Sequence, residues 1–164
     1  MLHPHNPDWI DKFTEEEKLI KKLLGTIAID IQHIGSTAIP HIMAKPIIDI
    51  AVLIPTLEEA HLLVPVLEQH GYLYEKEKSS QERFYFVKGD PEEYHLSLAQ
   101  PHTYSYWKRQ ILFRDYLKLH PEVAKEYEKL KLEALTTNAS NYLRAKGPFI
   151  EKVLELAEMG LTVL

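Results

Sequence analysis

One stretch of the chain, PIIDIAVLIP at residues 46–55, constrains the fold more than any other. It is apolar at almost every position and rich in β-branched residues, as is typical of a strand. An alternating pattern would indicate a strand with one buried face. This continuous apolar run indicates that both faces are buried, which predicts a strand in the interior of a sheet. Asp49 is its single charged residue. A carboxylate in such a strand must pair with a cation or a donor, because burial strips its charge of water.

The hydrophobic pattern elsewhere predicts a mixed order of helices and strands. Thr14 and Glu17 form a capping box, which predicts a helix from residue 14 to Gly25. RFYFVKGDPEEYHLSLA, at residues 83–99, predicts two strands joined by a turn. The other predicted elements are a strand at 26–35, a helix from Thr56 to Gly71, and helices from Tyr104 onward. We therefore predict a single domain over residues 1–164, of α/β (α+β) class, with a small mixed sheet flanked by helices and a helical C-terminal half.

Composition narrows the classes of function. The chain has no cysteine, which excludes disulfides, thiolate zinc sites and cysteine nucleophiles. A net charge of −5 argues against a broad nucleic-acid surface. No secretory signal or membrane-spanning run is present in the sequence, so we expect a cytoplasmic protein without a membrane partner. Nothing in the sequence specifies an oligomeric state.

A Gly-Ser-Thr turn precedes the Asp49 strand. Gly35, Ser36 and Thr37 offer backbone N–H groups and two hydroxyls to an anion, and Lys45 adds a positive charge. The alternative is purely structural, with a tight loop and with Asp49 paired to a neighbouring cation.

Arg83 and Lys88 stand on the first strand of the predicted hairpin, at a spacing that places them on opposite faces. We expect Arg83 to share the Asp49 face, where its planar fork suits a phosphate. An ion pair between Arg83 and Asp49 or a surface glutamate is the structural alternative.

Other polar residues carry weaker signals. Lys129 and Lys131 alternate with glutamates on a predicted helix, which indicates a salt-bridged solvent face. Tyr106 and Trp107 belong to an aromatic cluster that either stacks a base or packs in the core. Ser36 has no stronger case as a nucleophile than any loop serine, because catalytic serines are recognised by geometry.

The stretch HIGSTAIPHIMAKPIIDIAV, residues 33–52, resembles the GrpB family of the nucleotidyltransferase superfamily. Further landmarks of that family follow in order, including NPDW, RFYFVKGDPEEYHLSL, LFRDYLKLHPEVAKEYEKLK and AKGPFI. The resemblance covers nearly the whole chain. It implies a nucleotidyltransferase-like fold, in which a Gly-Ser turn holds triphosphate oxygens and acids on a following strand hold divalent metal.

The chain departs from the superfamily pattern at the metal. Ile47 and Ala51 stand where a second acid of an Asp-x-Asp pair would be expected beside Asp49. In YHLSLA, His95 is present, but Ser97 replaces the second histidine of the His-x-His that the GrpB pattern favours. A divalent metal, Mg²⁺ or Mn²⁺, would therefore be held by Asp49 and His95, and an imidazole ligand suits Mn²⁺ better than Mg²⁺.

Two functions follow from the resemblance and the residues. The first is transfer of a nucleotidyl or phosphoryl group from a nucleoside triphosphate to an unknown acceptor. The second is a nucleotide- or anion-binding regulatory module on the same fold. In both, the partner is a nucleotide or another phosphorylated small molecule. The candidate catalytic residues are Asp49 and Lys45, the candidate phosphate-binding residues are Gly35, Ser36, Thr37, Arg83 and His33, and the candidate metal ligands are Asp49 and His95.

Overall fold

The computed structural model describes the backbone of residues 1–101, 104–136 and 139–163, and the side chains of residues 1–101, 106–136 and 144–160. The helices are α1 (Asp8–Leu24), α2 (Leu57–Glu68), α3 (Tyr104–Leu119), α4 (Pro121–Thr136) and α5 (Ala139–Val163). The strands are β1 (Asp30–Ile34), β2 (Ile48–Leu53), β3 (Tyr72–Tyr74), β4 (Arg83–Lys88) and β5 (Tyr94–Ala99). Short 3₁₀ turns cover Gly25–Ile27, Ser36–Ala38 and Lys76–Lys78.

The strands form one mixed sheet in the order β1-β2-β5-β4-β3. β2 and β5 run parallel, and the other neighbouring pairs are antiparallel. β2 lies between β1 and β5, which confirms the interior strand predicted from its apolar run. The predicted hairpin at residues 83–99 is also confirmed, because β4 and β5 pair directly. β3, an edge strand of three residues, was not predicted.

One face of the sheet packs against α1 and α2. Alternation along β2 sends Ile48, Ile50 and Val52 into this core, where all three are almost completely buried. Trp9 and Ile20 of α1 cover them from outside. Asp49 therefore points to the other face of the sheet.

A second, smaller core joins the C-terminal helices to the segment after the Gly-Ser-Thr turn. Ile39 and Ile42 of that segment pack against Leu117 of α3, Tyr127 of α4 and Val153 of α5. This packing holds the three helices over the Asp49 side of the sheet and leaves a space between them.

The start of α1 differs from the prediction. The helix begins at Asp8, where the backbone N–H donates to the side chain of Asn6 at 2.9 Å, and Pro7 precedes it. The Thr14 hydroxyl donates to the carbonyl of Ile10 inside the helix. The capping-box interpretation of Thr14 was wrong, because an Asn-Pro start six residues earlier satisfies the first turn.

The predicted fold class is otherwise confirmed, with a small mixed sheet flanked by helices and a helical C-terminal half. Among the described residues, no helix has the length and apolar character needed to cross a membrane.

Candidate functional site

A cavity of about 700 Å³ lies between the Asp49 face of the sheet and helices α3 to α5. Asp49 of β2 pairs in register with His95 of β5, and Arg83 of β4 pairs with Ala99 of β5. Since residues two apart on a strand share a face, Asp49, His95 and Arg83 all point to the same side of the sheet. The structure thus places these three residues in the wall of one cavity.

The Gly-Ser-Thr turn lies directly against the Asp49 carboxylate. Gly35 has a φ of +74°, and a Cβ at this position would sit 2.3 Å from Oδ2 of Asp49. A side chain here would therefore clash as well as strain the backbone. Glycine is required at residue 35 because the turn and the carboxylate occupy adjoining space.

Asp49 forms part of a chain of three ionisable side chains. The Nδ1 atom of His95 is 3.2 Å from Oδ1 of Asp49, and its Nε2 atom is 2.6 Å from Oε2 of Glu92. Burial lowers the pKa of His95, but the hydrogen bonds and charges of Asp49 and Glu92 outweigh it, so the net pKa is raised above the usual value. A protonated imidazole satisfies both contacts at once, because each ring nitrogen then donates.

This donor set does not fit a resident metal ion. Both ring nitrogens of His95 are engaged by carboxylates, and a metal bound to His95 would displace one of them. Asp49 is the only carboxylate among the described residues that line the cavity. In the part of the chain that the structure describes, no three His, Cys, Asp or Glu side chains converge as a metal-binding group. Metal binding by Asp49 and His95 stays a prediction, and it would require His95 to give up one of its two carboxylate contacts.

Arg83 is held in the cavity by neutral groups. Its Nη1 donates to the hydroxyls of Ser97 at 3.0 Å and Tyr106 at 3.3 Å. Its guanidinium lies 4.5 Å from the ring centre of Tyr85 and 4.9 Å from that of Tyr106. Within the described residues, no carboxylate oxygen lies within 4.0 Å of Arg83, so neither Asp49 nor a surface glutamate pairs with it. Among the described residues, the alternative of an ion pair at Arg83 is therefore excluded.

Lys88 occupies the opposite face of β4, in agreement with the predicted alternation. Its Nζ contacts the carboxylate of Glu16, which also accepts the Tyr72 hydroxyl at 2.7 Å. Lys88 therefore belongs to the α1–sheet interface and not to the cavity.

The predicted salt-bridged solvent face is confirmed for Lys129, which is exposed and pairs with Glu133, but it is wrong for Lys131. Its side chain is 8% exposed and its Nζ donates to Oγ of Ser36 at 2.9 Å and to the carbonyl of Met43 at 2.7 Å. Burial lowers the pKa of Lys131 to about 8. Lys131 follows the buried residues Ala124 and Tyr127 at spacings of seven and four, so it shares the apolar stripe of α4. That spacing in the sequence indicated that Lys131 is buried, but the alternation of Lys and Glu drew attention to a solvent face instead.

His33 does not line the cavity, which corrects its assignment to the phosphate site. Its partner in register is Ile50 and not Asp49, so it points to the opposite face of the sheet. The ring stacks on Phe13 at 4.9 Å, and Nε2 is 2.9 Å from Oγ1 of Thr37. Burial, with added repulsion from Arg114, lowers the pKa of His33 to about 4. His33 is therefore a neutral group that positions Thr37, whose own side chain is fully buried.

The charged residues that line the cavity are mostly positive. Ser36 and Lys45 both line it. The helices add Arg109, which forms an ion pair with Glu151 outside the cavity, and Lys146. The described lining thus holds five lysines and arginines against one carboxylate; the cations are Lys45, Arg83, Arg109, Lys131 and Lys146. Such an excess favours an anionic ligand.

Aromatic and apolar side chains complete the wall. Tyr106 lines the cavity, whereas Trp107 does not. Phe113 of α3 contacts Tyr127 of α4 edge-on, and both line the cavity. A ligand here would meet charged groups beside ring faces.

Comparison with known proteins identifies the relatives of this chain. The sequence profile of the GrpB protein family matches residues 1–156. A UPF0157 protein of Pseudomonas aeruginosa is 35% identical over 156 residues, which cover 92% of this chain and 64% of that protein. The UPF0157 protein YqkA of Bacillus subtilis is 33% identical over 157 residues, which cover 94% of this chain and 46% of that protein. The chain therefore spans only about half to two thirds of the length of these two relatives.

The solved structure of a relative shows the same fold. The crystal structure of GrpB from Enterococcus faecalis matches with a TM-score of 0.85 and 32% identity, and the match covers 96% of each chain. Cid1 in complex with the UTP analog UMPNPP is a distant match, which covers 74% of this chain and 42% of that one at 13% identity and a TM-score of 0.43.

Proposed function

The chain belongs to the GrpB family, and we propose that its cavity binds a phosphorylated small molecule of the nucleotide class without a resident metal ion. The observation that carries this proposal is the pair Arg83 and Lys131. Each is a cation in the cavity wall that contacts hydroxyls, a carbonyl or ring faces rather than a carboxylate. Lys131 is buried and Arg83 is half-buried, and a charge in such a position that contacts no carboxylate is costly, so an anionic ligand would stabilise both.

The arrangement suits phosphate oxygens in particular. Arg83 is oriented by Ser97 and Tyr106, so little rotamer freedom is lost when its fork meets an oxygen pair. Lys131 supplies a point charge from the other side of the cavity, beside Ser36 of the turn. Lys45, Arg109 and Lys146 add positive potential around them. Several cations at separate points favour a ligand with more than one anionic oxygen.

The ring faces favour an organic part on the ligand. Tyr85 and Tyr106 flank Arg83, and Phe113 and Tyr127 lie on the helix side. A nucleobase would stack on such faces without sequence-specific contacts. Inorganic phosphate alone would leave most of the cavity of about 700 Å³ unfilled.

Group transfer from a nucleoside triphosphate is a second candidate. The contact between the Gly35 turn and Asp49 favours it, because a carboxylate beside a phosphate-sized turn is where a transferase would place an acid. One carboxylate is few for the two-metal route. We rank transfer below binding for this reason.

Calorimetric titration tests the proposal. Wild-type protein is titrated with pyrophosphate, ATP, GTP, CTP and UTP, each with EDTA and then with Mg²⁺ or Mn²⁺. We expect binding in EDTA and a loss of about tenfold or more in Arg83→Met, since a charge-assisted hydrogen bond contributes roughly 1.5–3 kcal/mol. Lys76→Met, at an exposed lysine outside the cavity, is the matched control and keeps wild-type affinity.

Two results would overturn the proposal. One is no heat of binding with any of these ligands in a folded wild-type protein. The other is equal affinity in wild type and Arg83→Met. Binding that requires Mn²⁺ or Mg²⁺ would instead favour the transferase candidate.

A further inference from the structure

We propose that Ser36 is a nucleophile that accepts a phosphoryl group from the bound ligand, with Lys131 as the base that takes its proton. This inference rests on the proposed function, because the donor is a phosphoric anhydride held in the same cavity. It concerns a step that phosphate binding alone does not require. The geometry that carries it is the contact of a serine hydroxyl with a buried amine at the cavity wall.

The two atoms are placed for proton transfer. Nζ of Lys131 is 2.9 Å from Oγ of Ser36, although the residues are 95 positions apart in the chain. The Met43 carbonyl at 2.7 Å and the Tyr127 ring, with its centre at 4.8 Å, fix the amine from two further directions. A base whose nitrogen lies 2.6–3.2 Å from the oxygen that carries the proton meets the geometric requirement for general-base catalysis.

The surroundings of Lys131 favour the neutral amine more strongly than the surroundings of an exposed lysine do. Burial is the main cause that lowers the pKa of Lys131 to about 8, and Lys146 of α5 lowers it further, whereas Glu128 opposes the shift. The Glu128 carboxylate accepts from the Met43 backbone N–H and from Lys125, so its oxygens are already engaged. At pH 7 roughly one Lys131 in ten is then unprotonated and can act as the base, compared with fewer than one in a thousand for an ordinary lysine. The protonated majority carries the charge that contributes to anion binding.

Both side chains also face the ligand space. Ser36 and Lys131 each line the cavity, beside Lys45 and Asp49. A hydrogen bond that served only to fasten the turn to α4 would not need to face this space. The hydroxyl therefore lies where the phosphorus atom of a bound anhydride would be within reach.

The reaction balances without a further reagent except water. Oγ of Ser36 forms a bond to phosphorus, the bridging P–O bond breaks, and the leaving phosphate keeps the electron pair. The hydroxyl proton moves to Nζ of Lys131, which becomes an ammonium as negative charge develops on the phosphoryl oxygens. Water, or the hydroxyl of an acceptor, then takes the phosphoryl group from Ser36, and Lys131 returns the proton to the serine oxygen.

An organophosphorus probe tests the nucleophile independently of the natural ligand. Wild-type protein is treated with diisopropyl fluorophosphate, and the modified serine is located by peptide mass spectrometry. The Oγ–P bond forms and fluoride leaves, so the probe reports the same attack. We expect labelling at Ser36, at a rate that rises between pH 7 and 9 as Lys131 loses its proton. A parallel incubation with ATP is expected to add one phosphoryl group to the same residue.

Variants separate the base from a structural role. Lys131→Met and Lys131→Arg are both expected to label about a hundredfold more slowly, since general-base catalysis contributes roughly that much. The arginine keeps the positive charge and can still donate to Ser36 and Met43. Lys131→Arg therefore tests the base even if Lys131→Met destabilises the fold. Lys129→Met, on the exposed side of α4, is the control and labels like wild type.

Two labelling results would overturn the inference. Absence of Ser36 labelling in wild type at pH 9 overturns it, as does an unchanged labelling rate in folded Lys131→Arg. Pyrophosphate titration of the same samples separates the two proposals: binding without labelling overturns the nucleophile and leaves the binding function standing. Labelling without pyrophosphate binding overturns the phosphorylated ligand, and with it the phosphoric anhydride as donor.

Discussion

The backbone of Gly35 touches the side chain of Asp49: a Cβ on residue 35 would lie 2.3 Å from Oδ2 and 3.0 Å from Cγ of that carboxylate. Residue 34 pairs with Asp49 across the β1–β2 ladder, so the chain turns immediately beside the acid. The turn and the carboxylate are one structural unit. A change in either is therefore felt by the other.

Gly35→Ala is expected to disturb this unit. The alanine must adopt a positive φ and also displace the Asp49 carboxylate, so we expect a loss of about 2–3 kcal/mol in unfolding free energy and weaker pyrophosphate binding. Gly25→Ala is a matched control, since Gly25 has a φ of +56° but no atom within 4 Å of its Cβ position. It carries the backbone strain alone, so its loss in unfolding free energy is expected to be smaller than that of Gly35→Ala. Urea unfolding of both variants measures the difference, and equal losses would contradict the clash.

Asp49→Asn separates metal-free binding from metal-dependent binding. Asn keeps an oxygen for His95 but removes the negative charge from the cavity wall. If the ligand is held by cations alone, pyrophosphate should bind several-fold more tightly in EDTA, because a like charge has gone. Calorimetry with EDTA and with Mn²⁺ measures this. Weaker binding in Asp49→Asn, confined to the samples with Mn²⁺, would support metal binding at Asp49 instead.

Lys131 makes stability depend on pH in the alkaline range. Its pKa falls from 10.5 to about 8 on folding, so the folded state binds fewer protons than the unfolded state between these values. The unfolding free energy should therefore rise with pH from about 8 to 10.5, by on the order of 3 kcal/mol. Urea unfolding across this range measures the slope. We expect the slope to flatten in Lys131→Met and to persist in Lys129→Met; a slope unchanged in Lys131→Met would exclude Lys131 as its source.

His33 makes the corresponding contribution on the acid side. Burial lowers its pKa from 6.5 to about 4, so its neutral form is favoured by folding. The associated stability is complete above pH 6.5 and is lost as pH falls through 4, again on the order of 3 kcal/mol. His33→Gln should flatten this part of the acid unfolding curve. His70→Gln, at an exposed histidine, should leave it as in wild type. An identical acid limb in the two variants would show that His33 is not buried as described.

Local pattern was sufficient for much of the fold. The apolar run around Asp49 predicted an interior strand, and the residues of β4 and β5 predicted a hairpin, because periodicity along a strand reports how its faces are buried. β3 escaped prediction, since three residues are too few to display a period. The start of α1 was misplaced because Thr14 carries a capping pattern that the Asn6–Pro7 start makes unnecessary.

The candidate site was only partly predictable. Gly35, Ser36 and Asp49 lie close in sequence, so a turn followed by a strand brings them together with little help from the rest of the chain. His33 was assigned to the wrong face, because a shift of one residue in strand register reverses the face on which a side chain lies. The register between β1 and β2 cannot be predicted from a local sequence pattern.

The sequence by itself determined the family, the α/β class and the turn beside Asp49, since each depends on motifs or on periodicity within a short segment. Only the tertiary structure decided which cations surround the cavity. Arg83 reaches it because β4 joins the sheet beside β5, and Lys131 because α4 packs over the turn, 95 residues beyond Ser36. A charge on a helix is solvated or buried according to what packs against it. That packing is a property of the whole chain.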